Sequence, residues 1–154
     1  LNELQKHRLQ EEVVWHAAVM MSNHIHLLFS TQTYNEHSLI LDLESELKKE
    51  LGVKGPLFQR PLPCEPLDNI EHLRAAYKYI YRNPVEVGLA RRVEDYTYSS
   101  LYLLLNRERP SLQHSFVDPL QLIQNLPVRL RWLNSANAFS QTSFPFFEDQ
   151  SPGF

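Results

Sequence analysis

"EVVWHAAVMMSNHIHLLFST", residues 12–31, decides how the rest of the chain is read. Residues 12–20 are rich in β-branched and aromatic side chains and predict a strand, Met21-Ser22-Asn23 supplies turn chemistry, and residues 24–31 predict the antiparallel partner. The product is a β-hairpin with His24 and His26 two residues apart in an apolar run. Side chains at i and i+2 leave a strand on the same face about 7 Å apart, a spacing from which two imidazoles converge on one metal ion. By the same alternation Ile25, Leu27 and Phe29 are expected on the other face, pointing into the core. An isolated His-x-His pair is more often two hydrogen-bonded structural histidines, so a metal reading needs a third donor.

Beyond the hairpin, residues 34–51 set Leu39, Leu41, Leu43 and Leu47 among Glu and Lys and end in "KKELG", with cations in the last turn and Gly52 as the stop. That predicts a helix. "VKGPLFQRPLPCEPL", residues 53–67, is too proline-rich for a helix or central strand and reads as a loop, with one short edge strand around 57–60. Asp68-Asn69-Ile70-Glu71 forms a capping box opening a second helix, which Asn83-Pro84 ends or kinks. A further helix is predicted from about Ser99 within "EDYTYSSLYLLLNRE". These elements give an α+β fold, an antiparallel sheet covered by helices on one face. From Arg109 onward the chain holds five of its ten prolines, so residues 109–154 read as an extension of brief helices and irregular tail packed on a core of residues 1–108.

Composition narrows the function classes. With 154 residues, 43% of them hydrophobic, there is apolar material for one domain with a real core. No stretch approaches the roughly 18 apolar residues of a membrane span, and the polar opening has no signal-peptide h-region, so a cytosolic protein without a membrane partner is expected. The single Cys64 provides neither an internal disulfide nor a CxxC zinc site. A net charge of −3 argues against coating nucleic acid non-specifically but leaves room for a local basic stripe.

The second helix offers such a stripe. At about 100° per residue, Ile70, Leu73, Tyr77, Ile80, Tyr81 and Pro84 form a core-facing side. Tyr79 falls nearly opposite, Asn83 lies one turn further on the same exposed face, and Arg74, Lys78 and Arg82 make an i, i+4, i+8 basic ridge beside them. The ridge alone is equally well a solvated helix surface, and Tyr79 alone an exposed tyrosine.

Taken together, "VMMSNHIHLLF", then "GPLFQR", then "YIYRNPVEVGLA" and "EDYTYSS" resemble the REP-associated tyrosine transposases, a branch of the single-tyrosine HUH transposases, over about residues 10–105. The resemblance implies a ferredoxin-like antiparallel sheet, with the N-terminal strand of that fold absent from this chain. It implies that His24 and His26 bind a divalent metal, Mg²⁺ or Mn²⁺, with Asn83 in the amide position, and that Tyr79 is the nucleophile. Arg60, Arg74, Lys78 and Arg82 would meet DNA. The implied substrate is single-stranded or hairpin DNA, cleaved and rejoined through a 5′-phosphotyrosine, with a homodimer as a further option. Glu86 stands where the family often has Arg, and "FQRPLP" carries fewer cations than expected near Arg60. An inactive hairpin-DNA-binding derivative is therefore a second reading. A third is an unrelated small metal-binding hydrolase, such as a two-histidine phosphodiesterase, but the second H-x-T/S element that group needs is missing.

Overall fold

The computed structural model describes residues 13–32, 35–58, 64–106, 116–117 and 125–136. Within them the chain is α+β: strands β1 (Val13–Met20) and β2 (Ile25–Thr31), then helices α1 (Glu36–Leu51), α2 (Ile70–Glu86), α3 (Ser100–Asn106) and α4 (Leu126–Asn134), with a 3₁₀ turn at Val93–Asp95. The two strands form an antiparallel sheet. Among the described residues no helix is long and apolar enough to cross a membrane.

The hairpin forms where the sequence predicts it, and its register fixes which side is buried. Val19 pairs with His26 and Ala17 with Leu28, and paired residues project to one face of a sheet. Ala17, Val19, Met21 and Leu28 are buried with Tyr77, Ile80 and Tyr81 of α2. The histidine face is therefore the face that α2 covers. Ile25, Leu27 and Phe29, expected to point into this core, lie on the opposite face and are only half-buried. The physical reason is that α2 seats its aromatic stripe on the small, flat Ala17–Val19 surface, whose cross-strand partners are the even-numbered residues of β2.

The register also slips by one residue between Trp15 and Ala17, leaving His16 as the extra residue of a β-bulge. Its Nδ1–H donates to the Val117 carbonyl at 2.9 Å, and its Nε2 accepts from the Ser30 hydroxyl at 3.0 Å. Val117 N–H in turn donates to Trp15 O at 2.7 Å. The contacts to Val117, with single bridges from Trp15 to Phe116 and from Val19 to Ser99, cover part of the outer edge of β1.

Local signals explain the helix ends. Asn35 caps α1 by accepting from His37 and Ser38 N–H, and Gly52 closes it in the left-handed conformation at φ 64°, as its position after Lys48-Lys49 predicts. Buried Glu44 accepts from Leu57 N–H at 2.8 Å and pairs with Lys48 at 3.0 Å, tying down the loop that follows. Leu57 and Phe58 form no strand; Gln59 and Arg60 lie outside the described residues. In α2 the cap is Asn69, accepting from His72 N–H at 2.9 Å, rather than Asp68. The helix runs through Pro84 to Glu86, two residues beyond the expected end. Tyr77, Ile80, Tyr81 and Pro84 are buried as the periodicity predicts, whereas Ile70, in the first turn, is 54% exposed.

The basic ridge is where sequence and structure part. Arg74 is exposed and pairs with Glu71 at 3.6 Å, but Lys78 and Arg82 are buried. They are covered by the last turn of α4. Arg82 donates to the Asn134 and Ser135 carbonyls at 2.8 and 3.0 Å, and Lys78 to Ser135 Oγ and Ala136 O at 2.8 and 3.2 Å, with its ammonium 5.6 Å from the Trp132 ring. Glu86 binds the other side of the Arg82 guanidinium. A helix C-terminus exposes carbonyls and the negative end of its dipole, so two cations are a fitting seat for it. Desolvation, with help from neighbouring Arg82, lowers the Lys78 pKa, and Glu86 partly offsets this. Replacing Arg82 by Ala removes the charged donor from those part-buried carbonyls and is expected to cost about 1–3 kcal/mol in urea unfolding. Arg74→Ala is expected to stay within about 0.5 kcal/mol.

Candidate metal and nucleophile site

His24 closes the turn: its carbonyl accepts from Met21 N–H at 2.8 Å, and β2 begins at the next residue. His26 is the second residue of β2, opposite buried Val19. The two rings meet edge to face with centroids 4.7 Å apart, and their Nε2 atoms are 3.0 Å apart. On the far side, His24 Nδ1 lies 2.7 Å from Asn23 Oδ1. A carboxamide oxygen only accepts, so Nδ1 carries the proton and the His24 Nε2 lone pair faces His26. Ligating histidines characteristically donate their other ring N–H to an oxygen in this way, which fixes tautomer and ring angle.

The donor pair fits a metal ion. An ion bonded at about 2.1 Å to both nitrogens holds them about 3.0 Å apart at a right angle and about 3.4 Å apart at the tetrahedral angle. The observed separation matches the right-angled geometry of an octahedral ion, and equally an N–H···N hydrogen bond from His26 to His24 when no ion is bound. Among the described residues no His, Cys, Asp or Glu joins the pair to make a group of three. Asn83, half-buried on α2, is the carboxamide the sequence singles out as a further donor.

Tyr79 packs its ring edge to face against His26, with centroids 5.5 Å apart. It is half-buried at the border of the core rather than opposite it. The rival tyrosines are sealed away. Tyr77 and Tyr81 are each 1% exposed, and their rings meet edge to face with centroids 4.9 Å apart. Tyr81 exchanges a 2.8 Å hydrogen bond with Ser100, and burial, with Tyr77 beside it, pushes its phenol well above the usual range. Of the three tyrosines on α2, Tyr79 is the one that reaches the imidazole pair.

Of the residues singled out by sequence, His24, His26 and Tyr79 come together, and Asn83 sits one turn along from Tyr79. Arg74 stays on the surface, Lys78 and Arg82 are occupied by α4, and Arg60 falls outside the described residues. Asn23 was not anticipated, because an Asn in a turn is already explained by turn chemistry and carries no separate signal. No protein-family model, curated protein or solved structure matches the chain, so the site is judged on its own geometry.

Burial of His26, followed by the neighbouring His24, lowers its pKa from 6.5 to about 4. The imidazole therefore stays neutral and able to ligate through mildly acidic pH. The unfolded chain binds this proton near 6.5, so the contribution of His26 to stability is complete above that pH and is lost as pH falls toward 4. NMR titration of the His26 ring is expected to show a midpoint near 4.

Proposed function

We propose that the chain is a metal-dependent DNA-nicking and joining enzyme of the tyrosine transposase type, in which Tyr79 attacks a phosphodiester of single-stranded or hairpin DNA. The observation that carries this reading is the contact between the Tyr79 and His26 rings, which puts a phenol beside a preorganised imidazole pair within one chain. In support, the Nε2 separation suits one octahedral ion, and Asn23 holds His24 in the ligating tautomer. The antiparallel hairpin with α2 across one face is compatible with the ferredoxin-like arrangement that the resemblance implies, and that finer assignment belongs to the same proposal.

In this reading His24 and His26, with Asn83, would hold a divalent ion, Mg²⁺ or Mn²⁺, which would supply Lewis acidity toward the phosphate. Tyr79 Oη forms a bond to phosphorus as the bond to the 3′ oxygen breaks. The phenol gives up its proton and the departing 3′ oxygen gains one, so the exchange balances without an external energy source. The phosphotyrosine keeps the energy of the broken linkage, and attack by a 3′-OH reverses the step. α2 contributes rigidity: its buried neighbours Tyr77, Lys78, Ile80 and Tyr81 fix the helix that carries Tyr79.

A second reading, a hairpin-DNA-binding protein that does not cut, draws on the burial of Lys78 and Arg82 and on the Arg82–Glu86 pair, which remove positive charge from beside Tyr79. One experiment separates the two. Incubated with labelled hairpin oligonucleotide and Mn²⁺, the full chain is expected to form a covalent adduct stable to denaturation. The adduct should disappear in Tyr79→Phe and with chelator, and fall at least about a hundredfold in His26→Ala. Binding with no adduct under any divalent metal overturns the enzymatic reading in favour of the second.

A further inference from the structure

The turn of α4 that buries Lys78 and Arg82 carries cations of its own on its outer side. A groove of about 670 Å³ runs between α4 and the start of the 3₁₀ turn, with Leu126, Pro127 and Leu130 along it and the guanidinium-bearing residues Arg92 and Arg131 among its lining. The Arg92 side chain is 61% exposed, and one of its two terminal guanidinium nitrogens is paired with Glu94 at 2.6 Å, which leaves the remaining N–H donors for another acceptor. Glu94 is itself fixed by Asn134 at 2.8 Å, so Arg92 is anchored to a rigid base. Arg131 is exposed and, among the described residues, has no acidic partner.

The groove is tied directly to the helix that bears Tyr79. Asn134 and Ser135, which also line it, are the residues whose carbonyl and hydroxyl oxygens receive Arg82 and Lys78. Packed helices lie about 8–10 Å apart, so the groove sits one helix layer out from α2. In a chain with a net charge of −3, Arg131 without an acidic partner among the described residues, and Arg92 with its charge shared by Glu94, line the same apolar floor, a combination that suits an anion carrying flat apolar groups. Carboxylates of an acidic peptide would also meet the arginines; nucleic acid is the favoured occupant because the proposed function makes DNA the substrate, with phosphates on the arginines and sugar or base faces on the leucines.

We propose that the α4 groove is a phosphodiester-backbone site, with Arg92 and Arg131 contacting phosphates of the DNA strand that Tyr79 engages. The inference rests on the proposed function for the identity of the substrate. It assigns the backbone contacts to cations other than Lys78 and Arg82, which are spent on holding α4.

The test measures binding apart from chemistry. Fluorescence anisotropy of the full chain with a labelled single-stranded oligonucleotide and with a hairpin, in chelator, is expected to show Arg131→Glu weakening binding several-fold and Arg92→Glu/Arg131→Glu about tenfold or more at low salt. Each lost contact should flatten the slope of log K against log salt by about 0.7 on a single strand. Lys54→Glu changes net charge equally at an exposed position on the loop after α1 and is expected to bind as wild type. Thermal melting of Arg131→Glu checks that this surface change leaves the fold intact. Equal binding by wild type and both groove variants, weakening no greater than that of Lys54→Glu, or a groove that takes an apolar peptide but no oligonucleotide overturns the proposal. An adduct on Tyr79 with groove variants unaffected removes this inference alone, and weakened binding with no adduct removes the enzymatic reading alone.

Discussion

The pairing of Val19 with His26 is the constraint on which the rest of the structure depends. Side chains alternate along a strand, so a slip of one residue would carry both histidines to the far face and expose Leu28. That register is enforced by burial: Ala17, Val19 and Leu28 need the cover of α2, and α2 needs a flat surface for Tyr77 and Tyr81. Polar groups capable of chemistry thus ride on a face selected for hydrophobic reasons. His26 sits where that face runs out, near enough to α2 to meet Tyr79 and near enough to the turn to meet His24.

Local signals made much of this legible in the sequence. The hairpin, α1 with its Gly52 stop, α2 and α3 all rest on short-range chemistry: alternation, helical period, capping and turn residues, which act over a few positions and are written in order. The resemblance singles out Tyr79; helical period sets Tyr77 and Tyr81 on the core side, and those two rings are the buried ones. Face assignment in β2 was not legible. Ile25, Leu27 and Phe29 are the more apolar set, and only the packing of α2 on Ala17 and Val19 turns the histidine side toward the core.

The ridge of Arg74, Lys78 and Arg82 failed for a related reason. Helical spacing states that three cations share a side of a helix but not what lies against it, and α4 is about fifty residues away in sequence. A cationic face covered by another helix is costly unless each charge is matched, and here the match comes from carbonyls at a helix end, a hydroxyl, an indole ring and Glu86. Backbone oxygens leave no trace in the identity of residues, so no pattern in residues 126–136 announces that they will receive Lys78 and Arg82. Of the two readings of Asn83-Pro84, an end or a kink, the helix rules out the end, since it continues through Pro84 to Glu86.

The burial of these two cations bears on how α2 can work. A nucleophilic tyrosine needs a helix that does not rotate, because turning α2 by one residue, about 100°, would replace Tyr79 by Lys78 or Ile80 beside His26. Apolar packing resists rotation weakly when neighbouring side chains are similar in size, as the succession of Tyr77, Tyr79 and Tyr81 shows. Directional bonds discriminate more sharply: rotating α2 would pull Arg82 from two carbonyls and Lys78 from Ser135 at once. Charges expected on the surface for holding a substrate are thereby put to holding the angle of the helix.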